Sequence, residues 1–155
     1  MNVIAFDPGK ATGVACYQNF VHTSFQLNDG FKGVADFLDP VDDDGYYDPV
    51  GPLYPYDAVV CETFTVNATT HKKDSGAFIE VFSNIGAIRY AAYLADVPFY
   101  LQTPAEAKSF GTNDKLRKLG WFAGGAGHAD DASRHLLTFL AKQRDPDILE
   151  RLTCD

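Results

Sequence analysis

The sequence of 155 residues has no long apolar run and few cysteines, and its first 70 residues carry only two basic side chains. No segment approaches the roughly 18 consecutive apolar residues that span a bilayer. The start, Met1 to Asp7, lacks the basic and apolar regions of a signal peptide. These absences predict a soluble intracellular protein. The hydrophobic fraction of 46% predicts an ordered chain, and the length suits one domain.

Cysteine is too sparse to build a disulfide framework. The three thiols, Cys16, Cys61 and Cys154, are odd in number and widely spaced. Cys16 and Cys61 lie within apolar runs, which favours buried thiols over a disulfide or a zinc site.

Basic residues are outnumbered by acidic ones, 13 to 21, so the formal net charge is −8. Residues 1–70 contain two basic and ten acidic side chains, whereas residues 71–144 contain ten basic and seven acidic ones. The acidic residues are concentrated at 36–48 and at the C-terminus. One interpretation is a solvated acidic loop that keeps the protein soluble. The other is that a nucleic acid contacts the 71–144 side and avoids the acidic loop.

Short apolar runs separated by turn signals predict an α/β fold with a mixed five-stranded sheet. Three strands, Val3–Phe6, Thr12–Tyr17 and Phe20–Gln26, form an antiparallel meander, and Ala58–Cys61 and Val97–Leu101 add parallel strands. The predicted helices that flank this sheet are Phe31–Leu38, Ser75 to Leu94, a helix opening at Thr103-Pro104, Lys115–Leu119 and His128–Ala141. We predict a single domain over residues 1–155, with an acidic loop insertion at 39–57 and a C-terminal tail at 144–155.

Three acidic positions occur where a carboxylate is unexpected. Asp7 and Glu62 each end an apolar strand, and Asp130-Asp131 lies in the first turn of an apolar helix. Each has an ordinary explanation when taken alone: a β-turn, the end of a strand, or an acid favoured by the helix dipole. Together they predict a carboxylate cluster at the carboxyl edge of the sheet, where Mg²⁺ or Mn²⁺ would compensate the repulsion.

The order of motifs along the chain resembles the RuvC-type Holliday junction resolvases of the RNase H-like superfamily. The motifs that carry the resemblance are Ile4-Ala5-Phe6-Asp7-Pro8-Gly9, Thr12-Gly13-Val14-Ala15, Val60-Cys61-Glu62, Gly86-Ala87, Pro98-Phe99, Thr103-Pro104 with Lys108, Asp114-Lys115, and Gly127-His128-Ala129-Asp130-Asp131-Ala132. They span most of residues 1–141. The short acidic insertion and lean chain favour a bacteriophage member, which would act in the host cytoplasm.

The resemblance implies an RNase H-like endonuclease with two Mg²⁺ or Mn²⁺ ions held by Asp7, Glu62, Asp131 and His128. In the family, the position three before the last acid is an acid or a histidine, and residues at i and i+3 share a helix face. Asp130 is therefore ranked below Asp131. His128 would either bind metal or transfer a proton near the attacking water. The family also implies a homodimer that cuts Holliday junctions and other branched DNA, such as forks and flaps.

Candidate DNA-binding residues lie near this site in sequence. The cations that could contact backbone phosphates are Lys72, Lys73, Lys108, Lys115, Arg117 and Lys118. Phe64, two residues past Glu62, resembles a family aromatic that stacks on junction bases, although its offset is not identical. For each of these residues a solvated helix face or core packing is the alternative.

Three other functions remain open at the level of sequence. One is an RNA-processing nuclease of the RNase H or YqgF type. Another is an actin-like or sugar-kinase-like ATPase, which also opens with an Asp-x-Gly and Thr-Gly hairpin but needs two such domains. The last is a non-catalytic junction-binding protein, which the presence of all the acids disfavours.

Overall fold

The computed structural model describes residues 1–39, 41, 45, 51–64, 75–124 and 127–154, with only the backbone of Ser75. The sheet contains β1 (Val3–Asp7), β2 (Thr12–Gln18), β3 (Val21–Leu27), β4 (Ala58–Glu62) and β5 (Phe99–Gln102). The helices of the described part are α1 (Gly30–Leu38), α2 (Ser75–Leu94), α3 (Pro104–Phe110), α4 (Asn113–Leu119), α5 (His128–Lys142) and α6 (Pro146–Thr153).

The strand order is β3-β2-β1-β4-β5. The first three strands pair antiparallel, and β4 and β5 join β1 in parallel. The predicted mixed sheet of a meander plus parallel strands is therefore confirmed. Because β1 and β4 are adjacent and parallel, their carboxyl ends meet at one edge.

A two-residue turn joins β2 to β3. Gln18 pairs with Val21, and the turn residues Asn19 and Phe20 both have positive φ angles, of 51° and 67°. That geometry matches the right-handed twist of a hairpin. The predicted second and third strands are thus joined by a tight hairpin whose turn lies between Gln18 and Val21.

Successive side chains of β1 and β4 point to opposite faces of the sheet, so the core has two layers. Val3, Ala5, Ala58 and Val60 face a cluster built with α4, α5 and α6. The intervening residues of the same strands face a second cluster with α1 and α2. The sheet is thus covered on both faces, which explains why its central strands are apolar throughout.

The helix predicted from Ser75 to Leu94 is present, but it is not amphipathic. Apolar side chains lie on its inner side, at Ile88 and Ala92, and also on its outer side, at Ile79, Tyr90 and Tyr93. No helix in the described part of the chain is both long and apolar enough to cross a membrane. The sequence favours Ser75 or Asp74 as the N-cap of this helix, and both Asp74 and the side chain of Ser75 lie outside what the structure describes.

Candidate active site

Asp7 and Glu62 lie side by side at the carboxyl edge of the sheet. The register pairs Phe6 with Cys61, so the next residue of each strand, Asp7 and Glu62, lies at the same level. Both continue the alternating rows that face α5, since Ala5 and Val60 contact that side of the core. The period of two along a strand therefore directs both carboxylates toward the same helix.

The turn after Asp7 is closed by side-chain hydrogen bonds. The Thr12 hydroxyl accepts from the Gly9 amide at 3.3 Å and lies 3.2 Å from the Gly9 carbonyl, to which it can donate. Asn84 of α2, which is fully buried, donates its amide to the same carbonyl at 2.9 Å. Thr12 and Asn84 thus fix the backbone that follows Asp7.

Gly13 allows the start of α5 to reach the site. A Cβ atom at Gly13 would lie 1.8 Å from the carbonyl oxygen of His128, so only glycine permits this approach. With the start of α5 packed against Gly13, His128 Nδ1 lies 2.7 Å from Asp7 Oδ2. The Thr-Gly motif therefore has a physical role, because Thr12 closes the turn by hydrogen bonds and Gly13 leaves room for the start of α5.

Electrostatic crowding acts on Asp7. Its burial raises the pKa to about 6, and the neighbouring Glu62 and Asp131 carboxylates add to the increase, while His128 opposes it. A buried carboxylate beside two others is unfavourable unless a cation or proton compensates it. This crowding is what a site for a divalent cation requires.

Each of the three carboxylates contacts a basic side chain. His128 contacts Asp7, His135 Nε2 lies 2.8 Å from Glu62 Oε2, and Arg134 Nε donates to Asp131 Oδ1 at 2.9 Å. Among the described residues, no three His, Cys, Asp or Glu side chains converge as a ready metal site. The donors nevertheless suit Mg²⁺ or Mn²⁺, because these ions prefer carboxylate oxygens and Asp7 lacks full charge compensation.

The two adjacent aspartates of α5 point in different directions. Asp130 is buried and accepts from the Ala123 amide at 2.8 Å, which secures the segment before the helix. Asp131 lies close enough to Asp7 to raise its pKa. The ranking of Asp131 above Asp130 as a metal ligand stays a prediction.

The predicted DNA-binding residues fall into separate environments. Lys108 lies 3.5 Å from Asp131, so it adjoins the candidate site. On α4, Lys115 and Arg117 stack over aromatic rings, and Lys118 donates to the Leu152 carbonyl at 3.1 Å. Lys72 and Lys73 lie outside the described residues.

Phe64 packs against two aromatic side chains of α2. Its ring centroid lies 5.3 Å from that of Phe78 and 5.7 Å from that of Phe82. The core-packing alternative thus has direct support, and Phe64 is half-buried.

Sequence reasoning missed two side chains that contact the carboxylates, and a third that contacts one of these two. His135 and Arg134 lie one turn after Asp131 on α5, and Gln102 ends β5 beside Glu62. The available signal was spacing, because positions 128, 131, 134 and 135 share one helix face. Polar residues on the buried face of α5 could therefore have been recognised as partners of the site carboxylates.

Comparisons with known proteins now complement this geometry. No protein-family model matches the sequence, and no curated protein matches it. The structure of Thermus thermophilus RuvC in complex with a Holliday junction substrate superimposes with a TM-score of 0.65 at 20% identity, covering 92% of this chain and 96% of that one. Another structure of Thermus thermophilus RuvC gives a TM-score of 0.59 at 20% identity, with coverages of 93% and 97%.

These likenesses define the class of fold. The mixed sheet flanked by helices is an RNase H-like fold. Within that class, the chain shares the architecture of RuvC over nearly its whole length. At this sequence identity the likeness establishes the fold alone.

Proposed function

We propose that this protein is a metal-dependent endonuclease that cuts branched DNA, with the Holliday junction as its leading substrate. The observation that carries the proposal is the pair of carboxylates at adjacent strand ends, the buried Asp7 and the half-buried Glu62, with His128 and Asp131 of α5 beside Asp7. The fold shared with a RuvC bound to a Holliday junction supports the choice of substrate.

The metal ligands in this proposal are Asp7, Glu62, Asp131 and His128. Two Mg²⁺ or Mn²⁺ ions bound there would supply Lewis acidity for an in-line displacement at phosphorus. The protein itself orients the carboxylates: β1 and β4 set the level of Asp7 and Glu62, and α5 presents Asp131 from the facing side.

The alternative role of His128 in this proposal, in place of metal binding, is that of a proton carrier. Its ring contacts Asp7 through Nδ1 at 2.7 Å, and 45% of the side chain is exposed. An imidazole held at one nitrogen and open to solvent can take a proton from attacking water. The products would carry 5′-phosphate and 3′-hydroxyl ends, as in RuvC-like chemistry.

Lys108 and the basic residues of α4 are proposed to bind the DNA backbone beside this site. Lys108 adjoins Asp131, Arg117 is exposed, and Lys115 is half-buried over the half-buried Phe110 ring. Phosphate contacts of this kind make affinity depend on salt. The acidic residues of the 39–57 insertion would repel the DNA, so we expect the DNA to avoid that loop.

A homodimer is the proposed assembly, since a four-way junction offers two symmetric strands for cleavage. Support comes from the outer side of α2, where Ile79, Phe82, Tyr90 and Tyr93 are exposed around Gly86. Their spacing of three and four places them in one stripe. We call these five residues the α2 stripe.

The function is tested by substituting the two strand-end acids. In Asp7→Asn and Glu62→Gln, we expect cleavage of a four-way junction to fall by at least about 1,000-fold with Mg²⁺ or Mn²⁺, while junction binding persists. The matched control is Asp96→Asn, an exposed residue beyond the opposite end of the sheet, which should cut normally.

The substrate class is tested in parallel on a four-way junction, a fork, a flap and an RNA–DNA hybrid. Preference for the branched DNAs supports the proposal. Preference for the hybrid would favour an RNA-processing nuclease, and full activity of either acid variant would refute the site assignment. Binding without cleavage by the wild-type protein would identify a non-catalytic junction-binding protein.

A further inference from the structure

Behind Glu62 lies a buried polar network that the proposed chemistry does not use. His135 is 1% exposed and Gln102 is 5% exposed. His135 Nε2 lies 2.8 Å from Glu62 Oε2, and His135 Nδ1 lies 2.9 Å from Gln102 Oε1. Both ring nitrogens therefore face an oxygen atom, and the imidazole is held at both ends.

The backbone explains why these three side chains meet. Glu62 and Gln102 are paired residues at the carboxyl ends of the parallel strands β4 and β5. Paired residues of neighbouring strands project from the same face of a sheet. His135 reaches that face from α5, four residues after Asp131, so the helix that presents one carboxylate also contacts another.

We propose that His135, oriented by Gln102, is a positioning residue that fixes the Glu62 carboxylate for divalent metal binding. The inference rests on the proposed function, because it assigns Glu62 as a ligand. His135 contacts one of the two carboxylate oxygens of Glu62, Oε2. Burial keeps bulk water from substituting for the imidazole, so the orientation of Glu62 depends on this contact.

Arg134 has a similar position with respect to Asp131. It donates to Asp131 Oδ1, to the Gly111 carbonyl at 2.9 Å and to the Asn113 side chain at 2.6 Å. The second turn of α5 thus supports both the acid on its own helix and the acid on β4. Partners of this kind commonly change metal affinity by about 10- to 100-fold when removed.

The test measures Mn²⁺ binding to the full-length protein without DNA, from the electron paramagnetic resonance signal of unbound Mn²⁺. We expect His135→Leu to weaken Mn²⁺ binding by about 10- to 100-fold. His135→Gln, whose amide can still donate to Glu62, should recover much of that loss. The Mn²⁺ concentration for half-maximal junction cleavage should rise by the same factor, with the KM for DNA unchanged.

Two further variants make the result independent of folding defects. Gln102→Met keeps the size of the side chain and removes the partner of Nδ1, so it should weaken Mn²⁺ binding less than His135→Leu does. Thr138→Val, which removes another buried polar group of α5, should leave Mn²⁺ binding unchanged. If His135→Leu does not fold, the comparison of Gln102→Met with Thr138→Val decides.

The outcomes separate this inference from the proposed function. Wild-type Mn²⁺ affinity in folded His135→Leu, or in Gln102→Met where His135→Leu does not fold, overturns the positioning role, provided Glu62→Gln has lost affinity. Wild-type protein that neither binds Mn²⁺ nor cuts any branched DNA overturns the proposed function itself, and the positioning role with it.

Discussion

Asp7 is a side chain whose position opposes folding and favours function. It is 5% exposed, and its pKa of about 6 results first from burial and then from Glu62. Since this pKa lies above the usual value of 3.8, the folded state disfavours the charged form relative to the unfolded chain. The contribution of Asp7 to stability therefore falls as the pH rises from about 4 through 6.

Replacing this carboxylate should stabilise the metal-free protein. In EDTA at pH 8, we expect Asp7→Asn to raise the free energy of unfolding by up to about 3 kcal/mol, the equivalent of the shift in pKa. Thermal unfolding followed by circular dichroism measures the change, and the exposed Asp96→Asn serves as control. A lower melting temperature for Asp7→Asn would show that its bond to His128 outweighs the crowding.

His22 provides a second titration at the residue scale, away from the carboxylates. Its ring stacks on Trp121 with centroids 4.3 Å apart and lies 3.0 Å from the Ser133 hydroxyl. Burial lowers the pKa of His22 to about 4, and the charge of Arg151 contributes to the decrease. The fold therefore favours the neutral ring, and stability is lost as the pH falls from about 6.5 through 4.

Trp121 reports this titration because it is the only tryptophan of the sequence. We expect a fluorescence transition centred near pH 4, since a protonated imidazole quenches an indole stacked on it. His22→Phe, which keeps an aromatic ring that cannot be protonated, should abolish the transition. A midpoint near 6.5 in the wild-type protein would contradict the effect of burial.

At the scale of elements, α5 is the helix on which the site depends. Its first residue contacts Asp7, its first turn presents Asp131, and its second turn holds Glu62 through His135. The close approach to β2 at Gly13 sets the position of the helix start. A small change at Gly13 should therefore act on the whole site.

Gly13→Ala tests this dependence. A Cβ atom 1.8 Å from the His128 carbonyl must displace the helix start, which we expect to cost about 1–3 kcal/mol of stability. Misplacement by about 1 Å can lower a rate by about 100-fold, and we expect a loss of that order in junction cleavage. Unfolding in urea and single-turnover cleavage measure the two effects.

Gly127→Ala is the matched control, because it makes the same change one residue before α5. A Cβ atom there would meet no atom within 4 Å, and the backbone is extended. We expect it to retain cleavage and to lose less than about 1 kcal/mol of stability. Equal effects of the two variants would show that steric contact at Gly13 is not the determinant.

At the scale of the whole molecule, the exposed apolar residues of α2 are the feature that a monomer does not explain. The α2 stripe runs along the side of the helix opposite Ile88 and Ala92, which contact the sheet. Glycine near its centre would allow two helices to approach closely. The α2 stripe is the surface through which we propose that two chains associate.

We expect the wild-type protein to have the mass of a dimer by light scattering and Tyr93→Glu that of a monomer. Tyr93 is 77% exposed, so a charge there should not disturb the fold of one chain. Phe20→Glu, which alters a 67% exposed aromatic residue at the β2–β3 turn, should remain dimeric. A monomeric wild-type protein at micromolar concentration would refute the proposed assembly.

Local patterns made much of this fold predictable. Apolar runs and turn residues predicted the five strands, because alternation and turn chemistry are properties of adjacent residues. The capping box of α3, in which Thr103 and Glu106 each accept from the other's backbone amide, is also local in sequence. The positions of Asp7 and Glu62 at strand ends followed from the same local patterns.

The sequence by itself determined the order of the elements, the strand ends that carry acids and the helix face shared by His128 and Asp131. Only the tertiary structure showed that α5 begins against Gly13 and that His135, itself in contact with Gln102, contacts Glu62. Those contacts join residues up to 115 positions apart, from Gly13 to His128, and no local pattern encodes which distant backbones approach. The acidic residues of the site can therefore be identified from local sequence patterns, while the geometry of the site depends on long-range packing between α5 and the sheet.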